Sequence, residues 1–307
     1  MNRILAAAII ACAAAPIPAR AQAQSGPWAV EGEVSYGLDV VPPDVLDTSP
    51  DQDRIRSLID GEVGVIYDAG AVLLRAAAGA RVFTSSSDYN RYPLLIGAQW
   101  DAPLTDDGKL KLRLQPTYEY VFGNGGRVFD RARLDGQLIY RANAEHTTTA
   151  RLRYGYRNQS ERRFTGYDQS EWLAELRHLW RPNGGPTRIT GSLLGLRADA
   201  EDDRFSYNGY GIMLLGRTPL RGDGILDDVE AYGRLYLVHR DYRAPFSTAY
   251  PYKRDDTQLR LTAGLEKRLN RRLSLFGEAG YARNKSNVPT RRYDGFVGRV
   301  GIFFRLP

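Results

Sequence analysis

Apolar and polar residues alternate with a period of two along most of this chain. From position 110, Leu110, Leu112, Leu114, Pro116, Tyr118 and Tyr120 alternate with Lys111, Arg113, Gln115, Thr117 and Glu119. Further on, Ala132, Leu134, Leu138 and Tyr140 alternate with Arg131, Arg133, Asp135 and Gln137. Ala150, Leu152, Tyr154 and Tyr156 alternate with Arg151, Arg153 and Arg157, and Val229, Ala231, Leu235 and Leu237 with Glu230, Tyr232, Arg234 and Tyr236. Leu259, Leu261, Ala263 and Leu265 oppose Arg260, Thr262 and Glu266. Successive side chains of a strand point to opposite faces, so each segment predicts a strand with one apolar side. Helical signals are scarce. Strands are expected near 28–37, 58–68, 71–83, 91–101, 109–121, 128–141, 147–158, 170–181, 186–198, 206–218, 228–242, 255–268, 272–284 and 293–306. At 186–198 the phase breaks, with Arg197 on the side held by Ile189 and Leu193, which predicts a bulge.

The connections alternate between two kinds. One set is long or aromatic-rich, such as VVPPDVLDTSPDQDR, FGNGGR, SERRFTGYDQ and RAPFSTAYPYKRDD, and the other is tight, such as DAGA, TDDGK and NAEH. Antiparallel hairpins joined this way describe an outer-membrane barrel with short periplasmic turns and longer outer loops. The aromatics sort by strand end. Trp28, Trp100 and Trp180 fall at the periplasmic ends, while Tyr36, Tyr118, Tyr120, Tyr154, Tyr156, Tyr242 and Tyr281 fall toward the outer ends. Two belts of this kind are what interfacial aromatics produce. The expected fold is all-β: a transmembrane antiparallel barrel of about fourteen strands.

The N-terminus has Arg3, an apolar stretch from Ile4 to Ala15, and small residues around Ala19, Ala21 and Ala23. This pattern reads as a cleaved signal peptide over residues 1–23, with 24–307 as the barrel. Ile9-Ile10-Ala11-Cys12 also resembles a lipobox, which makes Cys12 an alternative lipidation site. It is the only cysteine, so the processed chain has no disulfide framework and no thiolate zinc site. The formal charge of +6 falls to about +4 without Arg3 and Arg20, too mild to argue for nucleic acid.

The charges inside the strands argue against a soluble sandwich. Arg113, Arg131, Arg133, Arg151, Arg153, Arg234, Arg260, Arg299 and Arg305 would be desolvated together in its core, at several kcal/mol apiece. In a barrel they line a polar lumen beside Glu31, Glu33, Glu62, Glu119, Asp135, Glu175, Glu230, Glu266 and Glu278. Two readings of that lining remain: a salt-bridge lattice stiffening a narrow interior, or an arginine surplus steering anions.

Catalytic and metal signals are weak. Of three histidines, His146 lies at a turn and His178 and His239 on outward phases. No serine motif is placed against His239, so no hydrolase is expected. Asp44, Asp47, Asp51 and Asp53 cluster in the first outer loop without the glycine spacing of a calcium loop. No cofactor and no metal site is expected.

From about Tyr207 onward the chain resembles the C-terminal barrel of the surface lipoprotein assembly modifier family. The resemblance rests on Tyr252 with Arg254-Asp255-Asp256, on Leu259 to Leu265, on Tyr281-Ala282-Arg283-Asn284-Lys285-Ser286-Asn287, on Tyr293-Asp294 and on Arg299-Val300 with the closing phenylalanines. It implies a fourteen-stranded barrel that helps move lipoproteins or related cargo to the bacterial surface. Those proteins usually carry a periplasmic tetratricopeptide domain before the barrel, and here only a few residues separate the cleavage site from Trp28. The final strand, RVGIFFRLP, also resembles the terminal signal read by the barrel assembly machinery, through Arg299, Gly301, Phe304 and Leu306. The expectation is therefore an exported, non-enzymatic barrel acting in export or surface display. Its partners would be outer-membrane lipid, the assembly machinery and a secreted or lipidated cargo. The alternatives are a passive porin-like channel and a barrel associated with exopolysaccharide export.

Overall fold

A computed structural model describes residues 26–41, 54–85, 87–161, 166–220, 222 and 224–307. The expected signal peptide, Cys12 and the acidic loop cluster from Asp44 to Asp53 lie outside these residues. Among the described residues the strands are β1 (Trp28–Val40), β2 (Ile55–Asp68), β3 (Val72–Phe83), β4 (Tyr92–Pro103), β5 (Leu110–Gly123), β6 (Gly126–Arg141) and β7 (His146–Gln159). The second half contributes β8 (Gln169–Trp180), β9 (Arg188–Ala200), β10 (Tyr207–Pro219), β11 (Val229–Pro245), β12 (Lys253–Asn270), β13 (Leu273–Ser286) and β14 (Tyr293–Leu306). Each strand pairs antiparallel with its neighbours in the chain, and β1 pairs with β14 to close the barrel. The fourteen strands fall where the alternation put them, with ends shifted by a few residues.

Closure removes both sheet edges, so every strand finds its backbone partners inside the wall. The alternation then sorts side chains by face. Leu138, Leu152, Leu176, Leu193, Leu214, Leu261 and Val300 are exposed on the outside, and the neighbours of Leu152, Leu176 and Leu261 in sequence are charged or polar and turn inward. A continuous apolar exterior of this kind belongs in hydrocarbon rather than water. Trp28, Trp100, Trp180 and Tyr140 are exposed near the end with the short turns. Tyr36, Tyr118, Tyr154, Tyr156, Trp172 and Tyr210 are exposed near the opposite, loop end.

Three expectations change. Tyr242 does not join the outer belt: it faces inward and is buried, because the alternation of β11 from Tyr236 through Val238 and Arg240 continues to it. FGNGGR is not a long connection, since Gly123 pairs with Gly126 in a tight hairpin. Strand β9 has no bulge, because its ladders to β8 and β10 run without a register shift. Arg197 stands on the outer face, paired with Asp199 at 2.8 Å, while Leu194 and Leu196 are buried inside. Arg197 does share the side of Ile189 and Leu193, and with leucines on both faces the strand loses its period-two signature without a bulge.

In β14, Val300, Ile302 and Leu306 point outward, and Arg299 and Arg305 inward. Phe304 lies opposite Gly32 of β1, where a Cβ would approach the phenyl ring to 2.5 Å, so the ring covers the bare glycine across the seam. A Cβ on Gly301 would fall 2.5 Å from the Val34 carbonyl oxygen and 2.7 Å from the Phe276 ring. Gly301→Val should therefore destabilise the barrel by about 1–3 kcal/mol and lower the folded fraction on unheated gels. Gly216→Val, which meets nothing within 4 Å, should leave it unchanged. Equal folded fractions for the two variants would refute this packing of the seam.

Candidate functional site

The inward faces build a lattice of ion pairs that continues from strand to strand around the wall. Near the turn end, Arg75 contacts Glu62 at 2.6 Å and Glu31 at 3.5 Å. There Arg113 contacts Asp101 at 2.7 Å, and Arg217 contacts Glu230 at 3.2 Å and also Glu266. Arg305 lies opposite Glu31 in the register. Higher up, Arg299 bridges the closing seam by contacting Glu33 at 2.5 Å and Glu278 at 2.9 Å. Arg260 reaches Asp39 at 2.9 Å, and Arg234 lies 4.0 Å from Glu278. On the far wall, Asp135 receives Arg151 at 2.5 Å and Arg153 at 3.0 Å, and Arg151 continues to Glu175 at 3.3 Å. Toward the loop end, Glu119 receives Arg131 at 2.5 Å and Arg133 at 3.4 Å. Arg131 and Arg157 converge on Glu171.

Solvent exposure changes along the axis. Toward the turn end and middle, inward side chains stay wet: the side chain of Glu62 is 48% exposed and that of Lys111 40%. Toward the loop end they are sealed, with Arg131 at 1%. The sealing comes from connections folded inward across the mouth. The ring of Tyr167, in the segment after β7, stacks on Phe205 of the β9–β10 connection at 3.7 Å between centroids. Asp202 caps the short turn that carries Phe205. Hydrogen bonds from the Arg204 side chain and then from its backbone N–H hold the Asp202 carboxyl below the usual range. Arg291, in the last connection, is buried over the Phe246 ring at 4.9 Å.

One part of the interior is apolar. Leu173, Leu194, Leu196, Tyr207, Tyr236 and Val238 pack together against the barrel wall, with Met213 beside them. Alternation alone suggested a uniformly polar lumen, but β9 and β10 carry few polar inward residues, so leucine and tyrosine fill the space there. Arg157, Glu171, Asp39, Asp101 and Arg217 are lattice members that the reading of candidate charges passed over. Their positions in phase with Arg153, Glu175, Glu33, Gln99 and Leu215 would have identified them.

The histidines sit on the outer surface. His146 Nδ1 lies 3.1 Å from His178 Nε2, with Thr148 against the other nitrogen of His178 at 3.0 Å. His239 Nε2 is 3.2 Å from Asp241 and 3.4 Å from Asp255. Among the described residues these last three are the group able to offer converging metal ligands. They stand on the outward phase near the loop end, away from the interior lattice.

No protein-family model matches the chain, and no curated protein matches it. Solved structures do. The COG4313 outer membrane channel from Pseudomonas putida F1 is similar over 94% of this chain and 99% of its own, with 14% identity and a TM-score of 0.50. OmpT of Vibrio cholerae is similar over 92% and 99%, with 11% identity and a TM-score of 0.48. A bacterial polysaccharide outer membrane secretin is similar over 93% and 100%, with 12% identity and a TM-score of 0.47. At these identities the likeness concerns the fold, an outer-membrane type of β-barrel.

Within the lattice, removing one carboxylate charge weakens the compensation of its buried guanidinium partners. Asp135→Asn should cost about 3–5 kcal/mol, because Arg151 and Arg153 both depend on that side chain. Asp199→Asn, at an exposed pair on the outer face, should cost no more than about 1 kcal/mol. Urea unfolding in detergent or lipid measures both, and similar midpoints for the two variants would contradict the lattice as a structural support.

Proposed function

We propose that this chain is a gated transport barrel of the bacterial outer membrane. Its turn end faces the periplasm and its loop end faces outside, following the rule that short turns are periplasmic and long loops external. The observation that carries the reading is the axial change in exposure. Wet, paired charges line the periplasmic part of the lumen, and buried side chains from in-folded loops shut the outer mouth. A permanently open porin needs solvent along its whole length, so the closed mouth favours a conduit that opens on demand.

Export or surface display is the role that fits such a conduit, in line with the resemblance of the last third to surface lipoprotein assembly modifiers. Cargo would pass along the lumen rather than through the wall. The β1–β14 ladder is continuous from Val30↔Leu306 to Leu38↔Gly298, and Arg299 clamps it from inside through Glu33 and Glu278. Outer-membrane lipid, the barrel assembly machinery and a secreted or lipidated cargo are the partners this reading needs. The lumen lattice has the character of a stiff, charged wall rather than of a reaction centre, so we read the protein as non-enzymatic and without a cofactor.

Planar-bilayer recording tests the gate. The wild type should be silent for most of the record. Replacing both Tyr167 and Phe205 by alanine removes the stacked pair across the mouth and should raise the open fraction by about tenfold or more. Large, steady wild-type currents equal to those of the double variant would sink the gated reading and favour the passive channel. A deletion strain should lose a specific surface-displayed protein while its bulk permeability stays unchanged.

A further inference from the structure

Among the described residues, one arginine of the sealed mouth has to share its nearest carboxylate with another arginine. Arg240, on the inner face of β11, is 1% exposed. It donates from Nη1 to Gln258 Oε1 at 3.2 Å and lies over the Tyr207 ring at 5.5 Å, but its Nε and Nη2 have no hydrogen-bond partner. The carboxylate nearest in register, Asp256, lies directly opposite on β12 and is taken by Arg254, whose Nε donates to it at 3.0 Å and whose Nη2 donates to its second oxygen. Gln258 cannot compensate the charge, being neutral and already donating its own Nε2 to Tyr293. Beside Arg240 stands Tyr236, also buried, whose hydroxyl faces the Arg240 guanidinium and has no other partner among the described residues.

A guanidinium cannot shed its proton to escape burial, so the closed mouth holds a cation whose nearest carboxylate, Asp256, is hydrogen-bonded to Arg254 instead. The surroundings add to the positive potential. Burial and the neighbouring Arg254 and Arg54 push the Arg291 guanidinium down to about 10. Two N–H donors on one face of a guanidinium, with a phenol O–H nearby, are the groups that a planar or tetrahedral oxyanion uses. The closed packing leaves these atoms inaccessible, so an oxyanion reaches them only when the loops move. A ligand that binds only the open arrangement shifts the population toward it.

We propose that Arg240 Nε and Nη2, with the Tyr236 hydroxyl, form a cryptic oxyanion site whose occupation by a phosphate or carboxylate group opens the outer mouth. The inference rests on the gated reading above and adds to it the chemical class of the opening ligand. That group can arrive as a free ion or on an anionic polymer passing through the lumen.

The test pairs a binding measurement with a gating one. Inorganic phosphate is titrated onto purified wild-type protein in detergent, with tyrosine fluorescence and thermal unfolding as readouts. Saturable binding is expected in the wild type, weakened about tenfold or more in Arg240→Gln and to a smaller degree in Tyr236→Phe. Without phosphate, Arg240→Gln should unfold at the same or a higher temperature than wild type, since the substitution removes a buried charge whose nearest carboxylate is hydrogen-bonded to Arg254. An arginine serving only as a structural support would give the opposite sign. In bilayers, phosphate should raise the open fraction of the wild type and not of Arg240→Gln. Replacing phosphate with polygalacturonate at equal charge distinguishes a free ion from a polymer as the source, since activity of either one supports the site. No saturable binding by either probe, or equal binding by Arg240→Gln, overturns the site even if the barrel opens and closes on its own. Saturable, Arg240-dependent binding to a barrel that stays permanently open would retain the anion site, overturn its role as an opener and refute the gated reading separately.

Discussion

A wall that faces hydrocarbon has to satisfy all of its backbone hydrogen bonds within itself, and that requirement underlies the rest of this structure. An open sheet would leave two rows of unpaired N–H and C=O groups. The pairing of β14 with β1 removes both rows, and with them the freedom of any strand to shift. Once the register is closed, the face of every side chain is decided, because a slip by one residue would place arginines outside and leucines inside along the whole wall. Close backbone approaches at the seam, such as Gly301 against the Val34 carbonyl, follow from the same closure.

The inward face then has its own electrostatic demand. Arginines and carboxylates are brought together at a density that a soluble core would not tolerate, and they are accommodated by sharing partners across strands. Asp135 serves two arginines, as do Glu119, Glu171 and Glu278. The lattice is wettest toward the turn end and driest toward the loop end. At the dry end, cations rest against aromatic rings as well as carboxylates: Arg157 over Phe129, Arg254 over Tyr242, Arg291 over Phe246. Aromatic faces stabilise a cation more weakly than a carboxylate does. The same end holds Arg240, whose nearest carboxylate, Asp256, is hydrogen-bonded to Arg254.

How much was legible from the residues differs by feature, for physical reasons. Alternation such as Leu110 to Tyr120 against Lys111 to Glu119 identifies a strand and its faces without any knowledge of neighbours, because the side-chain period of a strand is a local property. Strand β9 resisted that reading. Its inner face is apolar where it meets Tyr207 and Tyr236 of other strands, so the period of two is lost there while the ladder runs on without a bulge. Tyr242 failed for a related reason: its place near a strand end suggested a membrane interface, and only the continued phase of β11 turns it into the mouth.

By itself, the sequence determined the fourteen strands, their order, the apolar exterior, the belts of Trp28, Trp100 and Trp180 at one end and Tyr36, Tyr118, Tyr154 and Tyr156 at the other, and the presence of many inward charges. These follow from residue type and spacing over a few positions. Only the tertiary structure decided which charges meet, that inward side chains are exposed toward the turn end and buried toward the loop end, and that Arg240 shares Asp256 with Arg254. Those outcomes depend on register between strands and on connections folding across the barrel, where residues far apart in the chain share one small space.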